Sequence, residues 1–324
     1  MQELPVLAID VGGTKISAAI ISNRGQIITK EYYLTQADEG PQPVINRILS
    51  AIDGIFSLGN IDSSQLAGIS MAAAGIIDSN RGRITFSPNL PGWCDVPLRD
   101  IVKEKYLIDT FLLNDASAAA LGEHNLGAGK GVDDLILLTV GTGIGGGIII
   151  DGKLYFGSCG SAGEIGHMTI DVNGPKCSCG NDGCLEALAS GTAIAREAIT
   201  RINQGERSAL TEIVDGKIED ITAEKVEMAA RRGDSLAYEV IFKAANYLGV
   251  GMANLVNIFN PEMIIIGGGV ANMGDLLLDP VRQVVQEKAF SLPAQAVRIV
   301  PAQLGNDAGL LGAAVFAFQQ KLVK

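Results

Sequence analysis

Four soft ligands crowd into one short stretch of the chain. His167, Cys177, Cys179 and Cys184 lie in G-E-I-G-H followed by C-x-C-G-x-x-G-C-x-E. One imidazole and three thiolates are the donor set of a closed, structural zinc site, where the metal fixes backbone and does no chemistry itself. The whole sequence has only two histidines and five cysteines, so the clustering is not background. Any two of the four could be buried thiols beside an unrelated histidine. All four together, punctuated by Gly174, Gly180 and Gly183, favour about one zinc per chain. Glu164 and Glu186 bracket the set, so a metal that fixes this loop fixes two carboxylates as well.

Two glycine turns offer a second kind of chemistry. Asp10-Val11-Gly12-Gly13-Thr14-Lys15 and Gly141-Thr142-Gly143-Ile144-Gly145-Gly146-Gly147 each follow a run of apolar residues. Glycines expose backbone N–H groups and let an oxyanion approach closely. Thr14 and Thr142 add hydroxyls, Lys15 a cation, and Asp10 a carboxylate suited to magnesium. Either turn alone would serve equally as a tight β-turn; two copies flanking one cleft favour phosphate. Gly141, Gly143 and Gly146 spell G-x-G-x-x-G, but that fingerprint needs a helix after the turn, and I-I-I-D-G predicts a strand and hairpin instead. A dinucleotide site is therefore rejected, and no P-loop motif occurs.

Asp115 sits where a strand gives way to a helix. Taken alone, Asn114-Asp115 is a helix cap. Between two phosphate turns, Asp115 becomes the candidate general base, taking a proton from a hydroxyl that attacks a γ-phosphate. Asn114 could cap and also bind substrate. His167 has two ring nitrogens, one for a metal and one free to donate outward. Gly267, Gly268 and Gly269 follow a buried strand and could take an adenine ring and ribose, or simply turn the chain into a helix.

The elements that must position these residues follow from periodicity. Strands are predicted at 4–9, 16–21, 26–33, 66–71, 83–86 and 108–113, with a helix at 43–57 and another at 114–126. Strand, glycine turn, strand and hairpin then recur from 135 onward. Such a repeat implies two related halves across a cleft. Residues 190–258 read as mostly helical, 262–266 as a strand, and 307–321 as a small, apolar helix that returns to the first half.

Composition narrows the function classes. With 324 residues the chain can hold two ordinary domains. Its 47% hydrophobic content suits a well-packed globular protein. A net charge of −11 without a basic run argues against nucleic acid or an anionic membrane as partner. The start, M-Q-E-L-P, lacks a basic leader, and no apolar run is long enough to span a membrane. Cys94 and Cys159 are expected as reduced thiols, and the protein as cytoplasmic.

In this order, D-V-G-G-T-K, N-D-A-S-A-A-A-L-G-E, G-T-G-I-G-G-G, G-E-I-G-H and C-x-C-G-x-x-G-C-L-E resemble the ROK family of sugar kinases and repressors over nearly the whole chain. The resemblance implies a ribonuclease-H-like, actin-like ATPase fold: two α/β domains with ATP and sugar in the cleft. The expected domains are 1–122 plus 307–324, and 123–306. It implies Asp115 as catalytic base, with Asn89, Asn114, Glu164, His167 and Glu186 on the sugar. It also puts zinc on His167, Cys177, Cys179 and Cys184, and Mg-ATP on the glycine turns. Family repressors add an N-terminal DNA-binding domain, for which the first strand, so near Met1, leaves no expected room. C-L-E-A-L-A-S-G-T-A-I is most similar to the glucokinase branch. The expected activity is phosphorylation of D-glucose at its 6-hydroxyl, the expected assembly a homodimer or homotetramer. The rivals are a kinase for N-acetylmannosamine, N-acetylglucosamine, mannose or fructose, and a sugar sensor without turnover.

Overall fold

The computed structural model describes residues 4–322; residues 1–3 and 323–324, at the ends of the first expected domain, lie outside the described residues. The chain divides into two compact units. One comprises residues 1–133, 147–163 and 303–324, the other residues 134–146 and 164–302.

The first unit is built on a five-stranded sheet. Its strands are β1 (Val6–Val11), β2 (Lys15–Ile21), β3 (Ile27–Leu34), β4 (Gly68–Ala73) and, after the small strands β5 (Ile76–Asp78), β6 (Arg83–Phe86) and β7 (Cys94–Val96), β8 (Thr110–Asn114). The order is β3-β2-β1-β4-β8, while β5-β6-β7 form a separate three-stranded sheet. β1 to β3 form an antiparallel meander, and β1, β4 and β8 run parallel. Strands β1 and β4 are apolar and buried along almost their whole length, as expected for strands covered on both faces. Edge strand β3 alternates instead between half-buried and exposed positions. Helix α1 (Pro41–Gly59) buries Val44, Ile45, Ile48, Ile52 and Ile55 against this core, and its proline start suits a first helical turn. α2 (Leu98–Tyr106) leads into β8, and α3 (Asp115–Leu126) leaves it.

Parallel register places function here. Asp10 pairs with Ala72 across β1 and β4, and Ala73 with Asn114 across β4 and β8. Asp10, Asn114 and Asp115 therefore share the carboxyl edge of the sheet, where ligands bind in open α/β folds.

The second sheet repeats the arrangement in the order β11-β10-β9-β12-β13, from β9 (Leu135–Val140), β10 (Ile144–Ile150), β11 (Lys153–Leu154), β12 (Met263–Gly267) and β13 (Arg298–Pro301). In each sheet three successive strands lie side by side and a later strand joins the first of them. This is the repeat expected from the sequence. The boundary between the units falls within β10.

Helices α4 (Leu185–Ala189), α5 (Gly191–Asn203), α6 (Leu210–Ile213), α7 (Ala223–Arg231), α8 (Ser235–Phe259), α9 (Asp275–Lys288) and α10 (Ser291–Ala296) belong to the second unit. The side chains of Ser190, Thr222 and Asp234 cap α5, α7 and α8. α11 (Ala308–Leu322) returns to the first unit. It packs on α3 so closely that a Cβ on Gly312 would stand 1.7 Å from the Ala118 carbonyl oxygen, and one on Gly122 2.4 Å from that of Ala308. Small residues on both helices make this approach possible. Glu123, fully buried on α3, accepts the N–H groups of Ala128, Gln303 and Leu304 and so ties the helix end to the returning chain.

Two sequence expectations change in detail. The second glycine turn is confined to residues 141–143, because Ile144–Gly147 already belong to β10. Gly147 is needed in a strand, since a Cβ there would come 2.5 Å from that of Ala120 on α3. Strands β5 and β7 were not expected; three residues each carry too little alternation to register. Among the described residues no helix is long and apolar enough to cross a membrane.

Candidate active site

The first glycine turn closes on itself: Gly12 donates to the Lys15 carbonyl at 3.0 Å. Thr35, wholly buried at the end of β3, pins it from outside. Its hydroxyl donates to the Gly12 carbonyl at 2.7 Å, and its N–H to that of Thr14 at 2.9 Å. Gly13 has no room for a side chain, as a Cβ would stand 2.9 Å from the Asn89 carbonyl oxygen. That close approach brings Asn89 to the turn.

Asp10 lies beside this turn, with the first residues of α11 against its carboxylate. A Cβ on Gly309 would be 3.2 Å from Oδ2. Burial, with Asp115 second, pushes the Asp10 carboxyl up to about 7, against the pull of Lys15 and Lys30. Lys15 and Lys30 each hold their ammonium 4.7 Å from the centre of the Tyr32 ring. Lys30 also pairs with Asp307, at the far end of the chain. Lys30, Tyr32, Asp307 and Thr35 escaped the sequence reading. Only the opposite charges of Lys30 and Asp307 hinted at a role, and nothing local joined them.

Asn114 caps α3: its Oδ1 accepts the Ser117 N–H at 3.0 Å while its Nδ2 donates to the Gly75 carbonyl at 3.0 Å. Both ends of its amide are thus held. Asp115 opens the helix, its Oδ1 accepting the Ala116 N–H at 2.8 Å. Burial raises its carboxyl to about 6 even though that N–H pulls the other way. Two neighbouring carboxylates with raised affinity for protons, beside the first glycine turn, suit a divalent cation and a general base.

In the second unit the glycine turn is held in a similar manner. Gly141 donates to the Gly143 carbonyl at 2.9 Å, Gly191 donates to that of Gly141 at 2.7 Å, and the Thr192 hydroxyl donates to that of Thr142 at 2.8 Å. Threonine hydroxyls from outside thus lock both turns, a parallel that short spacing could not reveal. Gly141, Thr142, Gly191, Thr192, Val270 and Met273 are among the residues lining a cavity of about 560 Å³, large enough for a nucleoside. Gly269 lines it too, whereas Gly267 ends β12 and Gly268 adopts φ +85°, its missing Cβ clearing the Val140 carbonyl.

His167, Cys177, Cys179 and Cys184 converge. Their ligand atoms all lie within 4.8 Å of one another. His167 Nδ1 is 3.7 Å from Cys177 Sγ, and Cys179 Sγ is 3.6 Å from Cys184 Sγ. Tetrahedral zinc with bonds of about 2.3 Å to sulfur and 2.0 Å to nitrogen requires edges of about 3.5–3.8 Å, which these two pairs approach. Burial and the neighbouring thiols push the Cys184 thiol up to about 12, a penalty that a bound dication reverses. Using Nδ1 on the metal leaves His167 Nε2 to face elsewhere.

The same loop gathers the acidic candidates. Gly166, between Glu164 and His167, has no room for a side chain, because a Cβ there would meet the Ile144 carbonyl oxygen at 2.0 Å. Glu164 accepts the His167 N–H through its own carbonyl at 3.1 Å, as the cap of the 3₁₀ turn Ile165–His167. Glu186 Oε2 accepts the Ile144 N–H at 2.9 Å. The candidates divide between the units: Asp10, Gly12, Gly13, Thr14, Lys15, Asn89, Asn114 and Asp115 in the first, and Gly141, Thr142, Gly143, Glu164, His167, Glu186, Gly269 and the cysteines in the second.

The pattern of the ROK family matches residues 6–320. A glucokinase of Halalkalibacterium halodurans is 40% identical over 316 residues, covering 97% of this chain and 95% of its own. A xylose repressor of Caldicellulosiruptor bescii is 36% identical over 309 residues, covering 95% of this chain and 76% of its own. The solved structure of a ROK family glucokinase from Streptomyces griseus, in complex with glucose and AMPPNP, matches with a TM-score of 0.85 at 37% identity, covering 97% of this chain and 99% of that one. The fold is ribonuclease-H-like, of the actin-like ATPase kind.

Proposed function

Because the chain belongs to the ROK family, we propose that it is an ATP-dependent hexokinase that converts D-glucose and ATP to glucose 6-phosphate and ADP. Asp115 carries the proposal: a buried carboxylate with its pKa raised to about 6, at the carboxyl edge of the sheet that also holds Asp10 and the first phosphate turn. A base of this strength is mostly ionised near neutral pH yet basic enough to take a proton as the transition state forms.

In this reading the sugar 6-hydroxyl gives its proton to an Asp115 carboxylate oxygen. The alcohol oxygen forms a bond to the γ-phosphorus, the bond to the β,γ-bridging oxygen breaks, and ADP leaves. Asn89, Asn114, Glu164, His167 and Glu186 orient the sugar. The N–H groups of Gly13, Thr14, Thr142 and Gly143, with Lys15, hold phosphates, while those of Gly12 and Gly141 close the two turns; the cavity at Gly269 takes the nucleoside, and Gly267 and Gly268 shape its entrance. Asp10 would hold magnesium, whose chemistry is neutralisation of phosphate charge. Zinc on His167, Cys177, Cys179 and Cys184 would be structural, aligning Glu164, His167 and Glu186. Most of the catalysis in phosphoryl transfer comes from such positioning.

The similarity to a xylose repressor supports one other reading, a sugar sensor without turnover. We place the protein in the cytoplasm as a homo-oligomer. Tyr238 and Phe242, stacked and about half exposed on α8, support a face covered by a second copy.

Coupled ADP release with Mg-ATP against glucose, mannose, fructose, N-acetylglucosamine, N-acetylmannosamine and xylose tests the proposal. Turnover far above background with glucose is expected. Turnover with another hexose corrects the substrate. Sugar binding without any turnover supports the sensor.

A further inference from the structure

Glu186 has two oxygens, and the protein uses both before any ligand arrives. Oε2 accepts the N–H of Ile144, the residue that follows the second glycine turn, at 2.9 Å. Oε1 accepts the hydroxyl of Ser178 at 3.2 Å and lies 3.8 Å from Cys177 Sγ. Ser178 stands between two of the metal-binding thiols, Cys177 and Cys179. The carboxylate is thus suspended between the cysteine loop and the phosphate turn.

Gly143 shows how tight this junction is. A Cβ there would stand 2.3 Å from Glu186 Oε2. This glycine is required by the carboxylate that leans on it, whatever phosphate it also meets. At the other end of short α4, Gly191 and Thr192 hold Gly141 and Thr142, which line the nucleoside-sized cavity. The segment L-E-A-L-A-S-G-T therefore grips the turn twice, with Glu186 near its start and Thr192 at its end.

We infer that Glu186 couples sugar binding to nucleotide binding, and that Ser178 is the positioning residue that sets this coupling. The inference rests on the proposal that Glu186 binds sugar and that the Gly141–Gly143 turn binds phosphate. A hexose hydroxyl that donates to Glu186 shares the two carboxylate oxygens with Ile144 and Ser178. The carboxylate must rebalance among three donors, and Ile144 carries that change to the turn. Phosphate on the turn fixes Ile144 and so presets Glu186 for the sugar. Linkage requires the effect to be equal in both directions. Without the Ser178 hydroxyl, Oε1 loses its anchor and the carboxylate can turn to the sugar without drawing on the turn.

The experiment is calorimetry on the full zinc-loaded protein. Glucose affinity is measured with and without saturating AMPPNP, and AMPPNP affinity with and without glucose. Wild type is expected to show a coupling factor of about 5 or more, equal in both directions. Ser178→Ala, at an exposed position, should keep its zinc by elemental analysis and still bind each ligand, with the factor lowered about threefold or more. Ser178→Thr should restore it. Thr192→Val, which loosens the other grip, should weaken AMPPNP while leaving glucose affinity in nucleotide-free protein unchanged. An unaltered coupling factor in zinc-containing Ser178→Ala overturns the inference and leaves the proposed function standing. Failure of wild type to bind either ligand overturns both.

Discussion

Asp115 and Asp10 are carboxylates held where water is scarce, and each prefers its proton more than an ordinary aspartate does. The consequence for activity is directional. Only the ionised Asp115 can accept a proton, so kcat/KM should fall about tenfold per pH unit below about pH 6, and the pH–rate profile checks this. Asp115→Asn keeps the size and the Ala116 hydrogen bond. It should retain sugar affinity while kcat falls by about 10²–10⁴-fold; near-normal turnover would remove Asp115 from its role. The same shifts bear on stability with the opposite sign. A carboxyl whose folded pKa is raised favours the folded state below its unfolded value of about 4 and loses that contribution as pH rises through its folded value. The ligand-free protein should therefore lose stability between about pH 4 and 7 from these two groups, and Asp115→Asn should raise Tm at pH 8. A lower Tm in that variant would contradict the assignment of burial as the cause.

Elements act through how closely they approach. α3 carries Asp115 at its start, and its line of small residues lets α11 lie almost backbone to backbone at Gly122 and Gly312. Gly312→Ala drives a methyl into the Ala118 carbonyl, and such overpacking costs about 1–3 kcal/mol. Denaturant unfolding should show that loss, accompanied by lower kcat because the helix that aims Asp115 is displaced. An unchanged midpoint would mean that the two helices are free to part. The loop from Ile165 to Cys184 has too few buried apolar residues to hold its own shape; Cys177, Cys184 and Ala187 form its small cluster. A metal on the four ligands would supply the cross-link that orders it. Cys179→Ser should lose most bound zinc by elemental analysis and raise KM for sugar severalfold, since Glu164, His167 and Glu186 all hang on that loop. Retained zinc with unchanged KM would break the link between metal and sugar.

At the scale of the molecule, one sheet plan occurs twice, and the functional groups are divided between the two units. Each unit can hold part of a ligand set, so ligands stabilise them by mass action. Saturation at about 100 times Kd is worth about 2.7 kcal/mol. Glucose with AMPPNP should therefore raise Tm by several degrees in a zinc-containing sample, measurable by calorimetry; a ligand-independent Tm would count against binding by the folded protein. The charge of −11 does not oppose the proposed nucleotide binding, because backbone N–H groups, Lys15 and a metal can stand in for a basic surface.

The sequence by itself determined the cysteine and histidine set, both glycine turns, the capped helix at Asn114-Asp115 and the repeat of strand, turn and strand. Each is a local signal: a ligand spacing, a period of two or 3.6, or a cap at a fixed offset from its helix. The structure decided what such signals leave open. Thr35 on the Gly12 carbonyl, Lys30 on Asp307, Glu123 on Gln303 and Leu304, and Glu186 on Ile144 are contacts between residues tens to hundreds of positions apart. The length of the second turn also fell to tertiary packing, because Gly145–Gly147 look alike in sequence until β10 lies against α3. Period and spacing report what one element does. Which distant side chain reaches a given carbonyl follows from how the elements pack, and that becomes fixed only when the chain has folded.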